Sequence, residues 1–369
     1  MDAMEGKSPE YKDALPQGAV RGRGAGLNPG NRFETVRLHV LGEHLDEQAA
    51  QAPCGVQVRT TQLDDSTRSI INHVDSPDLG FNWTINPYRG CEHGCIYCYA
   101  RPGHEYLGMS SGLDFETRII AKPEAPVLLR RELMNAKWKG ETIMMSGVTD
   151  PYQPVERELE VTRGCLKVMV EFRQAVAIIT KSKLILRDMD LLMELHEHRA
   201  VHAAVSLTTL DNELAAKMEP RASSPAGRLL AIRELSKAGI PVRVMTAPII
   251  PGLNDRELPA LLKAAAEAGA SSAGFVMLRL PYQIKDLFLE WLGRHFPARA
   301  AHVESLVRQM RGGELYNTEW FKRHKGEGPL AEQIAQTFKV FARRYGLDGK
   351  VPEMNHRAFR RPGGLFEQS

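Results

Sequence analysis

The chain is 369 residues long, with 43% hydrophobic and 25% charged residues and a formal net charge of +3. That balance is ordinary for a globular protein and excludes a mostly disordered, collagenous or fibrous chain. No apolar run approaches the ~20 residues of a membrane helix, and the acidic start MDAMEGKSPEYKD lacks a signal peptide's basic and apolar stretches, so a cytoplasmic protein without membrane attachment is expected.

Residues 1–32 read as a flexible tail. Pro16–Gly30 holds five glycines and two prolines, with Arg21 and Arg23 adding a mild basic character. The alternative is a segment that folds over the site or onto a polyanion. Residues 33–84 read as an N-terminal extension with short strands at Val36–Val40 and Val56–Thr60. From residue 85 a rhythm sets in. Strands are predicted at 85–89, 142–146, 175–180, 201–207, 241–247 and 273–279. Helices are predicted at Ala226–Ala238 and Leu258–Ala268, each closed by a glycine, Gly239 and Gly269. Alternating βα units imply a parallel sheet with right-handed crossovers. Six of them make an α/β fold, a partial (β/α)6 TIM-like barrel over residues 85–284. Active sites in such barrels lie at the C-terminal strand ends. Residues 285–369 read as a helical, basic C-terminal region. Within 320–361 ten Lys/Arg face four acids, interleaved with Trp320, Phe321, Phe338, Phe341, Tyr345 and Phe359. This is either a nucleic-acid surface, in which cations hold phosphates and aromatics stack on bases, or a helical cap with a solvated basic face.

Five cysteines are present: Cys54, Cys91, Cys95, Cys98 and Cys165. An odd number with three inside eight residues argues against a disulfide framework. Cys91, Cys95 and Cys98 follow the first strand with C-x3-C-x2-C spacing, and Gly90 and Gly94 permit a tight backbone path. Three thiolates can hold three irons of a [4Fe–4S] cubane and leave the fourth open to a substrate or cofactor. A structural zinc site is the competing reading, with His93 or His104 as fourth donor. A chance grouping of buried thiols is another. No second cluster motif is visible.

The C-x3-C-x2-C segment, with Tyr97 before its last cysteine, resembles the signature of the radical S-adenosylmethionine (radical SAM) superfamily. The flanking words NPYRGCEHGCIYCYAR, SGVTDPYQPVE, ITKS, SLTTLDNE, EPRASSPAGRLLAIRELSKAGIPV and PIIPGLND resemble the branch related to spore photoproduct lyase, the DNA-repair-photolyase-like proteins. The resemblance spans roughly residues 80–285. It implies one [4Fe–4S] cluster on Cys91, Cys95 and Cys98, with S-adenosylmethionine on the open iron. Reductive cleavage of that cofactor would give a 5′-deoxyadenosyl radical, which abstracts hydrogen from a substrate. It further implies an electron donor such as flavodoxin or ferredoxin.

The same resemblance marks Tyr97, Ser146, Thr149, Asp150, Lys181 and Ser206 as cofactor-binding candidates. Hydroxyls and a carboxylate suit the cofactor's ammonium, and Lys181 suits its carboxylate. Strand termination and capping explain Thr149 and Asp150 equally well. Glu219, Arg221 and Arg228 either line the pocket or form a salt-bridged helix start. One departure stands out. Spore photoproduct lyases carry a hydrogen-returning cysteine near the end of strand two, where this chain has Ser146-Gly147-Val148-Thr149. Repair of the spore photoproduct therefore does not carry across. Cys54 and Cys165 read as buried or idle thiols. The substrate itself is not identified by the sequence; the basic C-terminal region together with the branch resemblance makes a nucleic acid one expectation, with a protein or small molecule as alternative. A non-enzymatic metal-binding or redox-sensing protein is the alternative from another class.

Overall fold

The computed structural model describes residues 20–33 and 58–363. Its strands are β1 (Thr61–Asp64), β2 (Asn72–His73), β3 (Trp83–Ile85), β4 (Tyr88–Arg89), β5 (Arg118–Ala121), β6 (Ile143–Met145), β7 (Val176–Thr180), β8 (Val201–Ser206), β9 (Val242–Ile249) and β10 (Ser272–Met277). The main sheet has the order β10-β9-β8-β7-β6-β3-β2. Every pairing from β3 to β10 is parallel, and β2 alone runs antiparallel, on β3. Parallel neighbours need crossovers. Helices Ala125–Met134, Val161–Phe172, Met189–Glu197, Pro225–Lys237 and Leu258–Glu267 supply them. β10 ends the sheet on one side and does not return to β3. The result is the expected partial (β/α)6 barrel, open rather than closed.

The pattern of side chains explains the packing. β7 and β8 alternate buried and half-buried positions. The crossover helices turn in one apolar stripe each, such as Leu191, Leu192 and Leu195, or Leu261, Leu262 and Ala265. Helix Pro225–Lys237 starts on Ser224, whose hydroxyl accepts from Gly227 N–H, and has Pro225 in its first turn. Cys165 sits on helix Val161–Phe172 and is fully buried in the main core. Among the described residues no helix is long and apolar enough to cross a membrane.

Three expectations need correction. The strand predicted at 85–89 is two strands. β3 ends at Ile85, and Tyr88–Arg89 pairs antiparallel with β5 in a separate sheet of order β1-β5-β4. Pro87 has no N–H for the ladder and its ring disfavours continuing it, so the chain leaves the main sheet there. In the extension, Val36–Val40, Cys54 and residues 56–57 lie outside the described residues, and the described remainder of the strand expected at Val56–Thr60 is not a strand; β1 begins only after it, at Thr61.

Second, residues 20–33 do not trail off as their glycines suggest. They form a strap in which Val20, Arg23, Ala25 and Asn31 are buried. Val20 and Ala25 join an apolar cluster with Ile96, Leu214, Met218 and helix Ile284–His295. Backbone N–H groups, which composition does not register, hold the strap in place, as shown below.

Third, the basic C-terminal region is not one surface. Phe338 packs on Phe275, and Phe341 and Tyr345 pack against the main core. Leu347 O accepts from Ala273 N–H, and Asn355 N–H donates to Arg199 O. Phe359 stacks on Phe172, and Arg361 donates to Asn135 O and Trp138 O. These partners lie in the first residues of β10 or just before β8, β7 and β6, so residues 347–361 cover the N-terminal ends of the strands, away from the mouth. Trp320–Lys325 lie instead by the end of β10, where Lys322 O accepts from Arg311, and Arg323 pairs with Asp78 on the connection from β2 to β3. Helix period explains the split, because Phe338, Phe341 and Tyr345 fall on one face of a single amphipathic helix, Gly328–Arg344, and its end.

Candidate functional site

The cysteine loop hangs between the end of β4 and a short helical turn, Arg101–Leu107. Gly90 and Gly94 have φ of +78° and +67°. A Cβ on Gly90 would lie 2.9 Å from Phe115 O, and one on Gly94 would lie 2.7 Å from a Glu116 carboxylate oxygen, so both turns require glycine. The loop backbone is held from several sides. Cys91 N–H donates to Phe115 O at 2.9 Å, Glu92 N–H to Gln153 Oε1 at 2.9 Å, and Ile96 N–H to Met218 O at 3.1 Å. Gly90 O accepts from Thr149 Oγ1 at 2.6 Å.

Cys91 and Cys95 are buried, and Cys98 is partly exposed. Burial pushes the Cys91 thiol well up, and the nearby charges of Asp150, Cys95 and Cys98 push it further. Burial likewise raises Cys95, although Lys181 opposes this. Cys91 and Cys95 thus resist ionisation on their own, and a bound metal inverts that preference. Among the described residues no three or more His, Cys, Asp or Glu side chains are gathered round one point as a single-ion site. A cubane does not ask for that, because each thiolate binds a different iron. The donor set fits such a cluster.

Around the loop the strand ends bring the expected residues together, in unequal roles. Tyr97 is buried, and its hydroxyl donates to Glu219, which also accepts from Thr208 Oγ1 at 2.7 Å and from Arg228. The Lys181 ammonium lies 5.7 Å from the Tyr97 ring centroid. Asp150 accepts from Thr180 Oγ1 at 2.7 Å, Tyr152 N–H at 2.9 Å and Lys181 N–H at 2.8 Å, with His93 Nδ1 at 3.3 Å. Burial alone would raise this carboxyl. His93 and the hydrogen bonds outweigh it and hold Asp150 at about 2. Ser146 has a φ of +109°, unusual for a residue with a Cβ, and its hydroxyl donates to Thr149 O at 2.6 Å. Ser206 is buried at the end of β8, its carbonyl accepting from Arg228 at 3.2 Å. Thr149 and Asp150 thus spend their hydrogen-bonding capacity on the loop and on β7. Ser146 and Ser206 keep hydroxyl lone pairs, and Lys181 keeps its ammonium.

The sequence did not flag Glu116 and Arg101, both fully buried, which form an ion pair beneath the loop. Glu116 also accepts from the strap at Gly24 N–H, 2.9 Å, and Ala25 N–H, 2.8 Å. Glu92 pairs with Arg221 at 3.0 Å. Partners 91 or more residues apart leave no local pattern to read. Beyond the loop, Tyr99 is half exposed, with its hydroxyl on Gly147 O at 2.6 Å and the Arg279 guanidinium 5.3 Å from its ring centroid.

A family model for the radical SAM superfamily matches residues 85–265. The chain belongs to the radical SAM superfamily. It is therefore an enzyme, and the family's cofactors are a [4Fe–4S] cluster and S-adenosylmethionine. An uncharacterized protein of Mycobacterium tuberculosis is 35% identical over 261 residues, covering 68% of this chain and 77% of that protein. A radical SAM Nalpha-GlyT isomerase of Pseudomonas phage M6 is 24% identical over 234 residues, covering 62% of this chain and 46% of that protein. Among solved structures, spore photoproduct lyase complexed with dinucleoside spore photoproduct superimposes with a TM-score of 0.53 at 16% identity, over 82% of this chain and 92% of that one. That similarity shows a shared radical SAM fold.

Proposed function

We infer that Cys91, Cys95 and Cys98 hold the cluster, that residues 85–284 form the catalytic core, and that the substrate is a nucleic acid. The observation that carries the cluster assignment is the three-thiol loop, braced on every side at the C-terminal mouth of the barrel. When bound, the cluster supplies the electron that splits S-adenosylmethionine, giving a 5′-deoxyadenosyl radical that takes hydrogen from the substrate. The chain's own residues do the holding. The Lys181 ammonium pairs with the cofactor carboxylate, and the Ser146 and Ser206 hydroxyls accept from its ammonium. The Tyr97 ring packs beside Lys181, its hydroxyl anchored by Glu219. Thr149 and Asp150 act as struts, tying the loop and β7 to the end of β6. A flavodoxin or ferredoxin delivers the electron.

Nucleic acid is favoured by what rims the mouth. Tyr99, Tyr282, Trp320 and Phe321 are each 46–60% exposed. Arginines lie against three of them: Arg279 over Tyr99, Arg32 over Tyr282 and Arg323 over Trp320. Flat faces with adjoining guanidinium groups suit unstacked bases on a phosphate backbone. The reaction class is tested on anaerobically reconstituted, dithionite-reduced protein by assaying iron, sulfide and 5′-deoxyadenosine. About four irons per chain and cofactor cleavage, both lost in Cys95→Ala, are expected. Zinc in place of iron, with no cleavage, would overturn the assignment of the three cysteines.

A further inference from the structure

The mouth arginines divide into two kinds. Arg32 is paired with Glu105, Arg323 with Asp78 and Arg221 with Glu92, while the buried Arg101 and Arg228 have Glu116 and Glu219. Arg279 and Arg311 have no carboxylate within ion-pair distance among the described residues. They sit together at the end of β10. Arg311 is only 3% exposed and donates to Leu278 O at 2.6 Å and Lys322 O at 3.2 Å. Burial, and then the charge of Arg279, pulls it down to about 10. Arg279 reaches His324 Nε2 at 3.3 Å and the Tyr316 hydroxyl at 3.5 Å, both long contacts. The Nε of each arginine is buried and has no hydrogen-bond partner.

Two guanidinium charges held side by side, one deeply buried, repel each other and cost desolvation; Glu327 offsets Arg311 only in part and from beyond ion-pair distance, and no carboxylate among the described residues pairs with either. A buried cation without an anion is rare unless the anion comes from elsewhere. We propose that Arg279, backed by Arg311 and flanked by His324 and Tyr316, is a phosphate subsite for the substrate, placing a backbone phosphate of a single nucleic-acid strand beside the Tyr99 ring. The guanidinium fork matches phosphate geometry. Tyr99 directly follows Cys98 in the chain, so a base stacked on its open face would lie against the thiol loop. This subsite rests on the nucleic-acid reading above, while its phosphate chemistry is separable from that reading.

The test uses reconstituted holoenzyme and a short fluorescein-labelled single-stranded oligonucleotide, with binding followed by anisotropy across a salt series. Arg279→Gln is expected to weaken binding by about tenfold, the scale of one charge-assisted contact. The slope of log K against log salt should become shallower by about 0.7, the value for one phosphate on a single strand. Arg279→Lys should recover the slope and only part of the affinity, since it keeps the charge and loses the fork. Lys263→Gln, on the outer helix Leu258–Glu267, should match the wild type. Inorganic pyrophosphate is titrated in parallel by calorimetry. If Arg279→Gln binds the oligonucleotide with wild-type affinity and slope, the subsite is overturned while the nucleic-acid reading stands. If the wild type ignores oligonucleotides yet binds pyrophosphate through Arg279, the nucleic-acid reading falls and the phosphate site stands. Binding of neither overturns both.

Discussion

Glu116 is the keystone between strap and cysteine loop, and replacing it tests that arrangement. Its carboxylate and the Arg101 guanidinium are both fully buried. Arg101 keeps its bonds to Cys95 O, Ser111 O and Gly112 O in any Glu116 variant, but loses its only charge partner among the described residues. Removing one member of a buried pair typically costs about 3–5 kcal/mol. The two strap N–H groups add little to that figure, because a lifted strap lets them reach water. At roughly 2–4 °C per kcal/mol for a domain of about 150–250 residues, Glu116→Ala should lower Tm by at least about 6 °C. Glu116→Gln, which keeps one acceptor oxygen, should fall between Ala and wild type. Differential scanning fluorimetry gives the shift, and limited trypsin digestion gives its location. In the wild type Arg21 is exposed and Arg23 buried, so cleavage should start at Arg21, whereas in Glu116→Ala it should extend readily to Arg23. Unchanged Tm together with unchanged protection at Arg23 would refute the assignment of Glu116 as the strap's anchor.

Two further outcomes are expected. His295 is pulled down to about 4 by burial and by the positive charges of Arg294 and Lys217. It binds a proton more weakly folded than unfolded, so its contribution is complete above its ordinary value of 6.5 and is lost as pH falls toward about 4. Tm measured across that window should therefore fall less in His295→Gln than in the wild type. Arg228 and Glu219 form a second buried pair. Arg228→Met alone should cost about 3–5 kcal/mol by chemical denaturation, and the double variant Arg228→Met/Glu219→Leu should lose clearly less than the two single losses combined.

The barrel was legible because its signals are local. Strand-length apolar runs, terminal glycines and Pro225 placed both ends of β6 to β10 within two residues. The cysteine loop was legible for the same reason, since its donors fall within eight residues. What escaped was set by distance. Glu116 serves residues of the strap 91–93 positions earlier, and no period or spacing marks such a partner. The strap itself was misjudged because glycine-rich composition describes an unfolded chain's freedom, and close approach uses the same residues. A Cβ on Gly24 would lie 1.9 Å from Gly94 O. Thr149 and Asp150 follow the end of β6, and the sequence left their role open because a hydroxyl or carboxylate at a strand end suits a cap and a ligand alike. The C-terminal basic count misled because charge along the chain ignores which end of the barrel each turn reaches.

The strap also bears on the order in which the protein is made. Residues 20–33 leave the ribosome long before Glu116 exists, and without that carboxylate their N–H groups have no buried acceptor to dock on. The first part of the described chain to be synthesised is thus among the last to settle. Helix Ile284–His295, against which Val20 and Ala25 pack, arrives later still. Through most of translation, then, the back of the thiol loop stays uncovered, and the strap closes over it only once helix Ile284–His295 has been delivered.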